Sequence, residues 1–193
     1  MTILESIISG LVQGITEFLP ISSSGHLVLL HNFFGITEPN MLFDVLLHFA
    51  TMLAVLVYFR EDITSLVTFK NNKLIFYLVI GTIPAVLAGI FFEDRIEEIF
   101  NSPQKVFYML IATSLVLSIG QLMLWLKKKT KELNWKNSLL IGVFQAMALI
   151  PGISRSGTTV TAGLIAGINK EAVFKFSFLL SITIILAATL YKI

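Results

Sequence analysis

The chain has 193 residues, of which 55% are hydrophobic and 13% are charged, and its mean hydropathy is +0.85. Soluble domains carry about 25% charged residues. The composition therefore predicts an all-α polytopic membrane protein, with one membrane domain over residues 1–193 and no soluble domain. The net charge of +2 gives no indication of a nucleic-acid partner, and the lack of cysteine excludes disulfides, thiolate chemistry and cysteine-ligated zinc.

The first apolar stretch, residues 2–34, is interrupted at its centre. Pro20 ends the first helical segment, and the polar run 22–25 after it is typical of a turn or a helix start. The second segment, 26–34, is too short to span, because a crossing takes about 20 residues. Irregular backbone at membrane depth is tolerated only where it is buried in protein or lines a wet cavity. The pattern therefore predicts a re-entrant helical hairpin whose serines line a cavity.

Four later stretches are long and apolar enough to span a membrane, namely 41–59, 74–92, 107–126 and 172–190. The loop after the third of these spans is rich in lysine from Lys127 to Lys136, and the positive-inside rule places it in the cytoplasm. Counting back one crossing at a time places the acidic loop 93–105 outside and the loop 60–73 inside. The first hairpin then enters the membrane from the outer face.

A second hairpin pattern covers residues 138–168 and enters from the cytoplasmic side. Gln13 and Gln145 are 132 residues apart, and at this offset several residues of the first turn recur in the second. Hairpins on opposite sides imply an inverted repeat with a pseudo-twofold axis in the membrane plane, in which 1–126 is the first repeat and 137–193 an incomplete second one. The matching pairs are Gly10 and Gly142, Ile21 and Ile153, Ser22 and Ser154, Ser24 and Ser156, and Gly25 and Gly157.

Ionisable side chains lie among the apolar residues of both turns. At the middle of a bilayer helix an Arg or Asp costs about 2.5–3.5 kcal/mol, so we interpret these residues as functional. Gln13 and Glu17 share a helix face, and His26 follows the first turn. Arg155 lies in the second turn, where serines and a helix N-terminus favour an anion, and its planar fork suits phosphate oxygens. A carboxylate and a diphosphate together are the usual ligands of a hard cation such as Mg²⁺.

This set of side chains predicts phosphoryl transfer from a lipid-borne substrate, because that chemistry depends mainly on positioning and charge neutralisation. A nucleophilic Ser23 activated by His26 and a direct attack by water fit the sequence equally well. The predicted roles are diphosphate binding for Arg155, Ser154, Ser156 and Thr159, metal binding for Glu17 and Gln13, and general acid–base catalysis for His26.

Each prediction has a structural alternative. Glu17 and Arg155 could form an ion pair that joins the two halves, and His26 could cap a helix or bond a backbone carbonyl. Asp44 and His48, also four residues apart, could be metal ligands, but without a third ligand in reach interhelical hydrogen bonding is favoured. Turn and helix-capping roles are favoured for two serines of the first turn, Ser22 and Ser24.

The two turns resemble the undecaprenyl-diphosphate phosphatase family, the bacitracin-resistance membrane phosphatases. That family's motif (Glu/Gln)-x-x-x-Glu is matched by residues 13–17, and its continuation Phe-Leu-Pro-x-Ser-Ser-(Ser/Thr)-Gly-His is matched by 18–26. The second motif, Pro-Gly-x-Ser-Arg-Ser-Gly-x-Thr, is matched by 151–159. The stretches FDVLLHFATMLAVLVYF, IPAVLAG and FSFLLS are also similar, so the resemblance covers nearly the whole chain.

The resemblance implies a multi-pass plasma-membrane hydrolase that converts undecaprenyl diphosphate, or another polyprenyl diphosphate, to the monophosphate and inorganic phosphate. It implies a divalent cation, Mg²⁺ or Ca²⁺, as cofactor and a site open to the outer face. It also implies a role in recycling the lipid carrier for cell-wall glycan synthesis, and contact with membrane lipids. The residues that it implicates are Gln13, Glu17, Ser23, His26, Ser154, Arg155, Ser156 and Thr159.

Two features depart from the family pattern. Thr183 stands where the family usually has proline, and full-length members continue through two further spans. We expect either a naturally short member or a fragment, and a homodimer could cover the exposed face. The alternative function is a polyprenyl-phosphate transporter or flippase, because inverted repeats with polar groups near the midplane are typical of transporters. A non-catalytic lipid-binding remnant is a third hypothesis.

Overall fold

A computed structural model of the protein describes residues 1–36, 41–126 and 131–192. Within these ranges the regular structure is helical, and an isolated β-bridge joins Lys131 to Ile168. The all-α prediction is therefore confirmed. The helices in chain order are α1 Ile3–Thr16, α2 Ser23–Phe33, α3 Met41–Tyr58, α4 Arg60–Val67, α5 Asn72–Phe91, α6 Glu93–Phe100, α7 Pro103–Trp125, α8 Trp135–Met147, α9 Arg155–Ile165 and α10 Lys170–Lys192.

Three of the described helices, α5, α7 and α10, are long and apolar enough to cross a membrane. They coincide with three of the predicted spans. The fourth predicted span corresponds to α3, which passes the same test together with α4, although an 87° bend separates the two helices. Many large apolar side chains of α5 and α7 point outward and are exposed, as expected for helix faces that contact lipid. Lys127, Lys128 and Lys129 of the predicted cytoplasmic loop lie outside the described residues.

Two short helices lie where the sequence analysis predicted only loops. Helix α4 occupies part of 60–73, and α6 occupies part of 93–105. Both have two acidic residues in their first turn, where a carboxylate interacts favourably with the helix dipole. Each is only eight residues long, so neither contains enough turns for its periodicity to be recognised in the sequence.

Two pairs of short helices, α1 with α2 and α8 with α9, occupy the ranges of the two predicted hairpins, and the helices of each pair pack together. The longest of the four has 14 residues, fewer than a crossing needs. The first connecting turn, 17–22, contacts the start of α9 directly after the second turn, 148–154, because the Ser156 hydroxyl donates a hydrogen bond to the carbonyl of Leu19 over 3.4 Å. The fold therefore brings the two motif-bearing turns together.

Glycines permit the closest approaches in this arrangement. A Cβ added to Gly142 of α8 would lie 2.4 Å from the carbonyl oxygen of Gly81 in α5, so these two helices touch through their backbones. A Cβ added to Gly25, at the start of α2, would lie 2.9 Å from the Cα of Gly152. Gly152 has a φ of +93°, a conformation that glycine adopts without strain. An apolar core forms around Phe176 and its neighbours in α10, which packs against α3, α5 and α9.

Candidate active site

Both turns end in a serine that caps the following helix. The Ser22 hydroxyl accepts the N–H of Gly25 at 3.3 Å, and the Ser154 hydroxyl accepts the N–H of Gly157 at 3.1 Å. In each turn the capping hydroxyl also lies 3.3 Å from the hydroxyl of the serine two residues later. The residues that match at the 132-residue offset thus form the same local structure twice. The capping role predicted for Ser22 is confirmed.

The Glu17 carboxylate and the Arg155 guanidinium face each other across the two turns. Arg155 Nη2 lies 2.6 Å from Glu17 Oε1, and the two side chains are 16% and 7% exposed. Arg155 Nη1 donates a second hydrogen bond to the carbonyl oxygen of Ser177 in α10 at 3.3 Å. The charged groups that the sequence singled out are therefore in direct contact, 138 positions apart in the chain.

The other oxygen of Glu17 accepts hydrogen bonds from its own half of the molecule. The Ser23 hydroxyl donates to Glu17 Oε2 at 2.5 Å, and Gln13 Nε2 donates to the same oxygen at 3.1 Å. His48 Nε2 lies 3.6 Å from this oxygen and 3.4 Å from Ser23 Oγ. Gln13 also contacts the Thr51 hydroxyl at 3.4 Å. Glu17 is thus the group on which α1, α2, α3 and α9 converge.

The imidazole beside Glu17 and Ser23 belongs to His48. His26 instead donates from Nδ1 to the carbonyl oxygen of Ser22 at 2.7 Å. Of the two rings, only that of His48 is among the described residues that line the cavity at the site. The backbone-bonding alternative for His26 is therefore observed. Ser22 has a φ of +68°, which is unfavourable for a residue with a Cβ, so the His26 contact helps to hold a strained turn.

The signal for His48 was present in the sequence. Helix α3 is otherwise strongly apolar, and polar side chains occur in it at Asp44, His48 and Thr51, on one helix face. Interhelical hydrogen bonding, the interpretation favoured for His48, is what the structure shows. The sequence could not identify the partner, because nothing in a helical pattern tells which neighbouring helix its polar face contacts.

The predicted diphosphate-binding hydroxyls fall into two groups. Ser154 and Ser156 line the cavity beside Arg155. Thr159 is fully buried, donates to the Arg155 carbonyl oxygen at 2.8 Å and lies 2.6 Å from the Ser177 hydroxyl. The structure therefore places Thr159 behind Arg155, where it fixes the start of α9 against α10.

Thr113 of α7 also holds the second turn, and the sequence analysis did not identify it. Its hydroxyl donates to the carbonyl oxygen of Gly152 at 2.7 Å and accepts the backbone N–H of Ser154 at 3.0 Å. Both partners lie in irregular backbone, which has no helical hydrogen bonds of its own. A single threonine in an apolar helix carries no recognisable pattern, so only the structure could assign this contact.

A cavity of about 360 Å³ begins at these polar groups and extends toward α6. Its polar end contains Glu17, Arg155 and the serines of both turns. Its walls are mainly apolar side chains of α5, α10 and the second turn, 148–154, and Glu93 and Glu97 of α6 line the far end. Tyr191 also lines that end and donates a hydrogen bond to Glu93 at 2.7 Å. This arrangement suits an amphipathic ligand with one strongly polar end.

Two oxygen donors next to each other could contribute to a cation site. Glu17 is a carboxylate, and Gln13 Oε1 is a buried oxygen without a hydrogen-bond partner in the described structure. Hard cations such as Mg²⁺ take oxygen ligands and commonly use one or two protein side chains together with substrate phosphates. Among the described residues there is no cluster of three His, Cys, Asp or Glu side chains that could hold a metal alone. The oxygen ligands present therefore fit a cation that is held jointly by these side chains and by the phosphates of the substrate.

Comparison with known proteins identifies the family. Residues 6–193 match the family described as bacitracin resistance protein BacA. An undecaprenyl-diphosphatase of Halothermothrix orenii is 42% identical over all of this chain and 75% of its own length. The undecaprenyl-diphosphatase of Marinobacter nauticus is 42% identical, with 77% of its length covered, and undecaprenyl-diphosphatase 1 of Shouchella clausii is 44% identical, with 75% covered. With the paired turns and the Glu17–Arg155 contact in place, the chain belongs to the bacitracin resistance protein BacA family.

Proposed function

We propose that this protein hydrolyses undecaprenyl diphosphate, or another polyprenyl diphosphate, to the monophosphate and inorganic phosphate. In this role it recycles the lipid carrier for cell-wall glycan synthesis. The names of its relatives support the reaction. The observation that carries it is the contact between Glu17 and Arg155, where the starts of two serine-capped helices meet the end of an apolar cavity.

The diphosphate binds where α2 and α9 begin. The first N–H groups of a helix have no intrahelical partner, so they and the helix dipole favour an anion. Arg155 has five N–H donors, and its contacts with Glu17 and Ser177 leave others for phosphate oxygens. Ser154 and Ser156 add hydroxyls from the same turn. The binding energy comes mainly from these charge-assisted hydrogen bonds.

The attack on the terminal phosphorus comes from Ser23 Oγ or from a water bound beside it, and it breaks the bond to the bridging oxygen, which leaves with the lipid monophosphate. If Ser23 attacks, water then hydrolyses the phosphoserine and releases inorganic phosphate. Ser23 Oγ lies at the cavity wall and is held by Glu17. Arg155 neutralises the negative charge that develops on the phosphoryl oxygens. Thr159 contributes indirectly, because it fixes the backbone from which Arg155 projects. The His26 ring bonds the Ser22 carbonyl in this structure, and no hydrogen bond to the reacting groups is seen among the described residues. Its role in general acid–base catalysis therefore stays a prediction.

A divalent cation, Mg²⁺ or Ca²⁺, is part of the proposal. Glu17 and the unpaired oxygen of Gln13 would hold it together with the diphosphate. When bound, the cation would neutralise phosphate charge, and as a Lewis acid it would make the phosphorus more electrophilic. Removal of free divalent cations with a chelator is expected to abolish phosphate release, and added Mg²⁺ or Ca²⁺ to restore it. Full activity in excess chelator would contradict this part of the proposal.

The apolar part of the cavity receives the isoprenoid chain. A volume of about 360 Å³ is that of a site for a drug-sized molecule. It is therefore suited to the diphosphate and the nearest isoprene units, while the rest of a long prenyl chain lies in the surrounding lipid. This arrangement predicts that a short substrate such as farnesyl diphosphate is hydrolysed.

We also propose a topology. The hairpins α1–α2 and α8–α9 are re-entrant and belong to an inverted repeat, of which 1–126 is the first copy and 137–193 an incomplete second copy. The site opens to the outer face of the plasma membrane. The cavity supports this orientation, because it extends to α6, which lies in the acidic segment that the positive-inside rule places outside. A homodimer that shields the exposed helix faces completes the proposal.

The decisive test is phosphate release by the purified protein in detergent with farnesyl diphosphate as substrate. We expect inorganic phosphate and farnesyl monophosphate in equal amounts, and no release by the Glu17→Ala and Arg155→Ala variants. Binding and translocation of the lipid in vesicles without phosphate release would instead indicate the transporter or flippase. Wild-type rates in either variant would contradict the assignment of the site.

A further inference from the structure

Helix α3 presents a polar face to the first turn. The 18 residues of α3 are apolar apart from Asp44, His48, Thr51 and the terminal Tyr58. The first three are spaced four and three residues apart and therefore lie on one face. Polar side chains in a spanning helix are costly unless they have partners. Their positions thus indicate that α3 contributes to a polar site.

Two of these three side chains contact the residues at the centre of the proposed site. Thr51 accepts a hydrogen bond from Gln13, and its own hydroxyl donates to the His48 carbonyl oxygen at 2.9 Å. His48 Nε2 lies 3.4 Å from Ser23 Oγ and 3.6 Å from Glu17 Oε2. The Ser23 hydroxyl therefore contacts both the carboxylate that follows α1 and the imidazole of α3.

Backbone contacts fix the orientation of the His48 ring. His48 Nδ1 lies 2.8 Å from the carbonyl oxygen of Asp44, and a carbonyl can only accept, so Nδ1 carries a hydrogen. In the neutral ring Nε2 is then an acceptor, and it faces Ser23. The same contact prevents the ring from flipping, because a flipped ring would direct a carbon atom at the Asp44 carbonyl oxygen.

We propose that His48 is a positioning residue of this site, whose Nε2 gives the Ser23 hydroxyl a second acceptor beside the Glu17 carboxylate. The inference rests on the proposed phosphatase function. The hydroxyl has one hydrogen and donates it to one acceptor at a time, but Glu17 Oε2 and His48 Nε2 lie on the same side of it. Either bond therefore favours the same one of the three staggered serine rotamers, the one seen here. Arg155 and the helix N-termini bind the diphosphate without His48, so its loss slows turnover and leaves substrate binding nearly unchanged.

The test compares three replacements of His48 in the purified full chain, with farnesyl diphosphate as substrate. His48→Gln places an amide near the position of Nε2, His48→Asn places one near Nδ1, and His48→Leu removes both ring nitrogens. We expect His48→Leu to lower kcat roughly 10- to 30-fold, the effect of one lost hydrogen bond, with KM changed less than about threefold. His48→Gln is expected to restore most of kcat, and His48→Asn little of it. Tyr58→Leu, at the exposed end of the same helix, is the control and should match the wild type.

The outcomes are distinguishable. Wild-type kcat in His48→Leu, equal losses in the Gln and Asn variants, or an effect confined to KM would each overturn the role of His48. If His48→Leu does not fold, the comparison of kcat between the Gln and Asn variants still tests whether His48 acts through Nε2, because both variants keep a polar side chain. A wild-type protein that releases no phosphate would overturn the proposed function itself, and the role of His48 with it.

Discussion

The carboxylate of Glu17 has a structural role in addition to its proposed functional one. It is nearly buried, it pairs with Arg155, and it also accepts hydrogen bonds from Ser23 and Gln13. A buried charge requires such partners wherever it occurs, so the ion pair alone does not distinguish a site from a structural contact. The position at the end of a cavity, between two helix N-termini, is what favours a site.

Replacement of Arg155 by lysine separates the two roles. Lysine keeps the positive charge beside Glu17, but a single ammonium group cannot contact Glu17, the Ser177 carbonyl oxygen and a diphosphate at once. We expect kcat/KM for farnesyl diphosphate to fall by about 100-fold or more. The midpoint of thermal unfolding in detergent should stay within a few degrees of the wild type, since Glu17 keeps a cationic partner.

Arg95→Lys is the matched control for this substitution. Arg95 also pairs with a glutamate, Glu98, at 3.5 Å, but its side chain is 81% exposed and lies outside the cavity. Exposed ion pairs contribute little, so neither activity nor stability should change. Activity of Arg155→Lys close to that of Arg95→Lys would indicate that Arg155 serves only as a counter-ion.

At the residue scale the sequence predicts the two charged residues, Glu17 and Arg155, but not the contact that His48 of α3 makes with Ser23. Glu17 and Arg155 are predictable because each is an ionisable side chain in an apolar context, and each needs a partner. The contact between His48 and Ser23 depends on how α3 is rotated against α1 and α2. That rotation follows from packing over the whole helix, and no local pattern encodes it.

At the element scale the second turn depends on α7. Replacement of Thr113 by valine keeps the shape of the side chain but leaves the Gly152 carbonyl and the Ser154 N–H without a partner. Each buried unsatisfied group costs about 1–3 kcal/mol. We expect a clearly lower unfolding temperature and a reduced kcat for Thr113→Val. Thr113→Ser keeps the hydroxyl and should stay close to the wild type; equal behaviour of the two variants would show that the hydroxyl is unimportant.

The contact between α5 and α8 gives a second prediction at this scale. A Cβ at Gly142 would lie 2.4 Å from the Gly81 carbonyl oxygen, which belongs to the helix backbone and cannot rotate away. Gly142→Ala must push the two helices apart, and we expect it to destabilise the protein by about 1–3 kcal/mol. The effect should appear as a lower midpoint of thermal unfolding in detergent.

Gly10, which matches Gly142 at the 132-residue offset, provides the control. A Cβ there would meet only the side chain of Leu47, at 3.9 Å. Gly10→Ala should therefore be neutral or stabilising by up to about 1 kcal/mol, because alanine favours the helix interior. Equal effects of the two substitutions would contradict the close approach at Gly142.

Long helices were predictable at this scale, and short ones were not. The spans that correspond to α5, α7 and α10 follow from apolar runs that only a helix can place in a bilayer. Helices α4 and α6 are too short for such a signal. The omission matters for α6, because Ile96 and Phe100 on its inner side line the cavity.

At the scale of the whole molecule, the two related turns are not equivalent. The first supplies Gln13, Glu17 and Ser23, and the second supplies Arg155. At the 132-residue offset, Glu17 corresponds to Leu149 and Ser23 to Arg155. One turn therefore carries the negative group and the other the positive group, so the proposed site requires both turns. Either turn alone would leave its charged group without the oppositely charged partner seen here.

The orientation of this assembly in the membrane can be tested because the chain has no cysteine. Arg95 in α6 and Glu132 after α7 are both exposed, and α7 lies between them in the chain. Glu132 is replaced rather than a lysine, because the lysines determine the topology. If α6 and the cavity beside it face outward, a membrane-impermeant maleimide should label Arg95→Cys in intact cells and Glu132→Cys only after permeabilisation. The reverse pattern would place the cavity on the cytoplasmic side, and labelling of both from outside would show that α7 does not cross the membrane.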